Sequence, residues 1–263
     1  MQVSTSAYYN WLQGSESKRS QENKNLRKKI IEISEVSNGT YGRRRIAASI
    51  NKDTPKLASI NRIERQMKVL GVEGYQPRSF KRTTIPDSEL VDSPNLLRDC
   101  QVLSIDEAWV SDITYIATKQ GWLYLCTIMD LRSRKIIGWK TADNMRADLV
   151  VDAFKEAWNS RKPTGRLIFH SDKGGQYKSR KLRRLLKRLG VSQSMTGADH
   201  CYDNAVAESF FATLKRELIR GVKFSTRESA EMAIFEYIEV FYNRVRLHSA
   251  LEYRSPEEFE NIA

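Results

Sequence analysis

The chain has 263 residues, 40% of them hydrophobic and 29% charged, with 44 Lys and Arg against 32 Asp and Glu for a net charge of +12. That length makes one large domain or two unequal ones, and the balance of apolar to charged residues describes a globular chain, not a disordered one. The apolar run Leu123 to Met129 falls far below the roughly 20 residues that span a bilayer, and no charged-then-apolar signal opens the sequence, so neither membrane insertion nor secretion is expected.

The excess charge sits at the front. Up to Pro86 there are 17 basic and 7 acidic residues; after it there are 27 and 25. A strongly basic first third on a near-neutral body points to a nucleic-acid-binding module. Leu26, Ile30, Ile33 and Val36 recur at helical spacing until Gly39 and Gly42 break the pattern. Arg43, Arg44 and Arg45 open a second short helix carrying Ile46, Ala47 and Ile50. A third starts at Ser59 as N-cap, places Ile60, Ile63, Met67 and Leu70 on one face, and ends at Gly71. Arg62, Arg65 and Lys68 lie on its other face. The pair of helices reads as a helix-turn-helix whose basic residues contact DNA, and a solvated charged face explains the same residues equally well. The basic DNA-binding region is assigned to residues 1–75, and a linker interrupted by Pro77, Pro86 and Pro94 to residues 76–104.

Residues 105–263 have a different texture. Val110 to Thr118, Trp122 to Asp130 and Lys135 to Thr141 are rich in β-branched and aromatic residues and are joined by connections short enough for hairpins. A helix follows over Met145 to Ser160, with Leu149, Ala153, Ala157 and Trp158 on its buried side. Arg166 to His170 is a strand. Leu182, Leu185, Leu186 and Leu189 stripe a basic helix ending at Gly190, and the run of Lys178, Arg180, Lys181, Arg183, Arg184, Lys187 and Arg188 beside them reads as its solvated surface. Val191 to Met195 is a last strand, and helices run from Asn204 to about Arg220 and from Thr226 to about Arg244. The order β-β-β-α-β-α-β-α, with right-handed parallel crossovers, predicts an α/β fold of ribonuclease H type: a mixed five-stranded sheet with flanking helices, preceded by a small all-α domain.

Three carboxylates stand out. Asp112 lies inside the first strand, Asp172 follows the fourth in His170-Ser171-Asp172-Lys173-Gly174-Gly175-Gln176-Tyr177, and Glu208 lies near the start of a helix that Asp203 or Asn204 would cap. The first and fourth strands are expected to be neighbours, so the two aspartates can converge, with Glu208 approaching from the helix. Three carboxylates at one point repel unless cations neutralise them, and hard oxygen ligands suit two Mg²⁺ or Mn²⁺ ions serving phosphodiester chemistry. Singly, each also reads as an exposed strand residue, a turn former and a surface glutamate. Cys100, Cys126 and Cys201 are odd in number and form no C-x-x-C pair, so free thiols in a reducing cytoplasm are expected. His170 and Ser171 either orient water or phosphate or position the strand end. His248, beside Asn243 and Arg246, is expected to make structural hydrogen bonds.

Asp172 and Glu208 are separated by 35 residues, the spacing found in integrases and many DDE transposases. With the words Trp109 to Ile116, His170 to Tyr177, Cys201 to Glu217 and Tyr242 to Pro256, and with Val3 to Trp11, Tyr41 to Ile46 and Arg65 to Gly71, the whole chain resembles the second-frame (OrfB) protein of the IS3 family of bacterial insertion sequences. The resemblance implies a DDE transposase using Mg²⁺ or Mn²⁺, with Asp112, Asp172 and Glu208 as catalytic and metal-binding triad. Double-stranded DNA is the implied partner, namely element ends and target, together with a homo-oligomer on DNA and an upstream-frame (OrfA) partner. Lys173, Gln176, Lys215 and Arg216 are candidate DNA contacts near the triad. The segment Met195 to Cys201 lacks the basic stretch that many members carry there. A non-catalytic end-binding regulator and a ribonuclease H acting on RNA–DNA hybrids are the competing readings.

Overall fold

A computed structural model describes residues 4–12, 16–53, 57–74, 93–98, 102–196 and 205–263. The chain divides into two compact units, Met1–Gln76 and Pro77–Ala263. No helix among the described residues is long and apolar enough to cross a membrane.

The first unit is helical: α1 (Thr5–Leu12), α2 (Lys18–Val36), α3 (Arg43–Asp53) and α4 (Ile60–Leu70). Leu26 and Ile30 of α2 pack with Ile46, Ala47 and Ile50 of α3 and with Ile63 and Met67 of α4 in a small buried core. The caps are those the sequence predicts. The Ser59 hydroxyl accepts the Arg62 N–H, and Gly71 takes the left-handed conformation at φ 66° that only glycine adopts cheaply. Ile33 and Leu70 are half-buried, and two predicted core residues are exposed. Val36 is the last residue of α2 and Ile60 the first of α4, and both project into solvent at the ends of the packed faces. In place of Ile60 the α4 face buries Gln66, whose carbonyl accepts from the Arg27 guanidinium at 2.8 Å.

The second unit holds one mixed sheet of β1 (Ala108–Thr118), β2 (Gly121–Asp130), β3 (Ile136–Ala142), β4 (Ile168–Ser171) and β5 (Ser192–Met195), in the order β3-β2-β1-β4-β5. The first three strands are antiparallel neighbours, whereas β4 runs parallel to both β1 and β5. On one face α5 (Ala147–Arg161) and α6 (Arg180–Arg188) cover a core of Trp109, Cys126, Ile128, Phe154, Phe169 and the α6 leucines. Helix α5 presses so closely on β3 that a Cβ at Gly138 would lie 2.7 Å from the Ala153 carbonyl. Trp158 is only partly buried there.

The remaining elements are α7 (Ala205–Leu214), α8 (Arg227–Phe235) and α9 (Pro256–Glu260). The two helices read as continuous from sequence each change pitch. After Leu214 the chain passes into a π-helical turn over Lys215–Ile219, and after Phe235 into another over Glu236–Tyr242. The reason lies in tertiary contacts. The buried Asn243 amide exchanges two hydrogen bonds of 2.9 Å with the backbone of Ile136, as a strand partner would. The first π turn carries Glu217 inward, where its carboxylate accepts two bonds of 2.8 Å from Arg246 and one of 2.9 Å from the Tyr237 hydroxyl.

Candidate active site

Sheet register builds half of the site. The parallel pairing of β1 with β4 ends at Ser111 opposite Ser171, so the next residues, Asp112 within β1 and Asp172 just past the end of β4, lie side by side. Neighbouring strands lie about 4.8 Å apart, which sets the two carboxylates against each other. The Asp112 carboxylate accepts the Ile113 N–H at 2.8 Å, and that of Asp172 accepts the Gly174 N–H at 3.0 Å. Burial, reinforced by the Asp172 charge and more weakly by Glu208, pushes Asp112 up to about 7, while the Ile113 N–H and Lys215 act against the shift. Burial likewise raises Asp172, and the Gly174 N–H and the positive charge of Lys178 oppose it. Carboxylates held at this disadvantage call for positive charge.

The second half is looser. Glu208 sits in the first turn of α7, exposed, with its charge felt at Asp112. Among the described residues, no three His, Cys, Asp or Glu side chains are drawn close enough to form a ready-made metal cage. The three predicted residues thus share one electrostatic neighbourhood, with the charges of Asp172 and Glu208 both acting on Asp112. The donor set is all carboxylate, with two acids destabilised as anions, and it suits a hard divalent cation.

The floor of the site is rigid and chemically quiet. The Ser111 hydroxyl bonds the Tyr177 hydroxyl at 2.9 Å and lies 3.6 Å from Cys126 Sγ. Tyr177 anchors the Gly174 loop beneath β1. Burial pushes the Cys126 thiol up to about 12, so it offers no nucleophile. Cys100 and Cys201 lie outside the described residues, as do the predicted caps Asp203 and Asn204. His170 takes the positioning alternative: fully buried, its Nδ1 bonds Ser194 Oγ at 2.8 Å and ties β4 to β5. His248 is likewise structural, stacked edge-on to Tyr242.

One basic residue is misplaced by its sequence context. Lys178 is 4% exposed, not part of a solvated helix surface. The Ser179 hydroxyl accepts the Leu182 N–H and starts α6 there, which leaves Lys178 in the preceding turn with its charge on Asp172. That cap was the signal available in sequence. Arg180, Lys181, Arg184, Lys187 and Arg188 are exposed as read.

The other candidate contacts divide. Lys215 is exposed, with Nζ 5.2 Å from the Tyr115 ring centroid and its charge felt at Asp112. Lys173 is half-buried. The Gln176 amide donates to the Met145 carbonyl at 3.0 Å, a brace to the entry of α5. Arg216 lies against Thr213 and Glu217. In the first unit Arg44, Arg65 and Lys68 are exposed. Arg43 instead pairs with Glu64, Arg45 lies over the Tyr41 ring, and Arg62 bonds Glu22 and Asn23.

Family models agree with this division. An integrase core domain matches residues 105–201 and a second integrase core model residues 208–263, while an HTH-like domain matches residues 20–80. The transposase for insertion sequence element IS904 of Lactococcus lactis is 37% identical over 93% of this chain and 96% of its own length. The transposase InsF for insertion sequence IS3A of Escherichia coli is 43% identical over 71% of this chain and 64% of its own length. Among solved structures, a chain of the simian T-cell lymphotropic virus intasome in complex with PP2A regulatory subunit B56 gamma matches 81% of this chain and 73% of its own, at a TM-score of 0.50 and 11% identity, a likeness of fold.

Proposed function

Because the chain belongs to the IS3-type insertion-sequence transposases and is a DDE transposase with an integrase core, we propose that Asp112, Asp172 and Glu208 are its catalytic carboxylates and that they hold two Mg²⁺ or Mn²⁺ ions. The reaction is phosphodiester hydrolysis at an element end, in which water adds to phosphorus and the 3′ oxygen leaves as a 3′-OH. That hydroxyl then attacks a target phosphodiester in strand transfer. Divalent cations bound by these carboxylates supply Lewis-acid activation of the attacking oxygen and neutralise charge on the leaving one.

The protein's own part is positioning and electrostatics. Asp112 within β1 and Asp172 just after β4 each accept a backbone N–H that fixes the carboxylate. Glu208 would add the third carboxylate from the first turn of α7. Lys215 and Lys173 neutralise phosphates flanking the scissile bond. No side chain in the floor serves as nucleophile, which leaves that role to water and the DNA hydroxyl.

The single observation that carries the reading is the side-by-side placement of Asp112 and Asp172, with Glu208 acting on the same group. A cleavage and strand-transfer assay on end-containing DNA tests it, and retained activity in Asp172→Asn would refute the assignment. The first unit binds double-stranded element ends through Arg44, Arg65 and Lys68, with Arg43, Arg45 and Arg62 supporting the fold of that surface. The reading extends to a homo-oligomer on DNA, with an upstream-frame (OrfA) partner completing end recognition. A cytoplasmic enzyme, at the nucleoid when bound, matches a DNA substrate.

A further inference from the structure

The hairpin beside the carboxylates projects beyond β4. Pairing of β1 with β4 stops at Ser111, whereas pairing with β2 continues to Thr118 opposite Gly121. On this projection Tyr115 and Trp122 lie diagonally across the two strands and therefore on one face. Their ring centroids are 5.0 Å apart at an interplanar angle of 83°. Each keeps 50% of its surface exposed, although Trp109, Phe154, Phe169 and Tyr177 of the same unit are buried. Hairpin stability alone asks for cross-strand contact, not for two large rings left in water.

Cations frame the pair. Lys215 Nζ lies over the Tyr115 ring, and the Arg227 guanidinium donates to the Trp122 carbonyl at 3.2 Å. Tyr115 is three residues along β1 from Asp112, about 10 Å of extended strand and by alternation on the other face. That span is about three nucleotide steps of a stacked strand. Lys215 links the two across the strand edge that β4 leaves bare, lying over the Tyr115 ring with its charge felt at Asp112. Open aromatic faces bordered by Lys and Arg are the chemistry that holds single-stranded nucleic acid, the rings taking bases of any sequence and the cations taking phosphates.

We propose that Tyr115 and Trp122 form a stacking platform for an unpaired nucleobase of the DNA strand next to the scissile phosphate, with Lys215 and Arg227 on the flanking phosphates. The proposal rests on the transposase reading and adds a demand for local strand separation at the element end. A charged, aromatic-bearing edge beside a phosphodiester site fits DNA better than an apolar protein face.

The test uses the full chain and an end-containing duplex whose last two nucleotides are unpaired, one replaced by 2-aminopurine, in EDTA so that binding is read without cleavage. Wild type should quench the probe as the base stacks. Tyr115→Ala and Trp122→Ala should lose the quenching and bind this DNA about 10-fold more weakly, with a much smaller loss on a fully paired duplex. Trp122→Phe should keep most of both signals, and circular dichroism checks the fold of each variant. Unchanged quenching in both alanine variants overturns the proposal. Equal loss on paired and unpaired DNA overturns it too, as does an alanine variant that changes only the oligomeric state, which would mark a protein interface. Cleavage in Mg²⁺ is scored separately. A wild type that cleaves without quenching sinks the platform and spares the transposase reading, and one that quenches without cleaving does the reverse.

Discussion

The two sides of the carboxylate site are built by different means. Asp112 lies within β1 and Asp172 directly follows β4, so the register that assembles the sheet brings them side by side. Glu208 belongs to a helix laid across that sheet, and its position depends on side-chain packing of α7 and the π turn after it. The aspartate side is therefore set by strand pairing, and the glutamate side by helix packing. A strand pair can store electrostatic strain that a packed helix releases.

The largest expected effect tests that asymmetry directly. Asp112→Asn, Asp172→Asn and Glu208→Gln should each lower strand cleavage by about a thousandfold or more, ~4 kcal/mol of transition-state stabilisation. Their cation binding should differ. Mn²⁺ titration by calorimetry should show binding lost in both aspartate variants and a weakened first site surviving in Glu208→Gln. Equal loss in all three would mean that the glutamate is as firmly built in as the aspartates.

The helix side has its own anchor, and breaking it is the next largest effect. The Arg246 side chain is 3% exposed, pairs with an equally buried Glu217, and ties the π turn beyond α7 to the C-terminal segment. Arg246→Met leaves the Glu217 charge buried without its guanidinium and should destabilise the protein by about 3–5 kcal/mol in thermal or urea unfolding. Replacing both residues with apolar side chains should recover much of that loss. A double variant as unstable as the single one would show that the pair acts through more than its charges.

The sheet of the second unit was readable because alternating apolar residues and short turns carry strand order locally, and strand order alone puts Asp112 beside Asp172. The π turns were not readable. Phe210, Phe211 and Leu214 keep a helical period right up to the change of pitch, and what alters it, Glu217 meeting Arg246, is a contact 29 residues away. Lys178 was hidden among the basic residues that follow it until the Ser179 cap separated loop from helix. The placement of Glu208 was equally invisible, since a spacing of 35 residues carries no information on how α7 packs against the sheet.

Strain stored on the sheet side should appear as a pH-dependent stability. The folded Asp112 titrates at about 7, above its ordinary value of 3.8, so the folded protein holds that proton more tightly than the unfolded chain does. Stability without metal therefore falls as pH rises from 3.8 through about 7, and the whole penalty is present above it. Asp112→Asn removes the charge and should stabilise the metal-free protein at pH 8 by about 1–3 kcal/mol, less than full enclosure would give because part of Asp112 meets solvent. The gain should vanish near pH 4. Melting curves at the two pH values in EDTA check this, and a variant no more stable than wild type at pH 8 would show that the aspartates rest without strain.

The smallest effect probes how finely the strand side is set. A Cβ on Gly174 would fall 3.0 Å from Asp172 Oδ1 and 3.2 Å from Gln176 Oε1. Gly174→Ala should therefore push the Asp172 carboxylate by a few tenths of an ångström without disturbing Tyr177 or the core beneath it. Catalytic geometry tolerates such shifts poorly, so cleavage should fall about 10-fold, ~1.4 kcal/mol, with the unfolding midpoint nearly unchanged. Ala at a neighbouring glycine supplies the control, because a Cβ on Gly175 meets nothing within 4 Å. If both variants lose activity alike, backbone freedom of the loop governs the rate. If only Gly174→Ala does, the precision of Asp172 sets the site's tolerance.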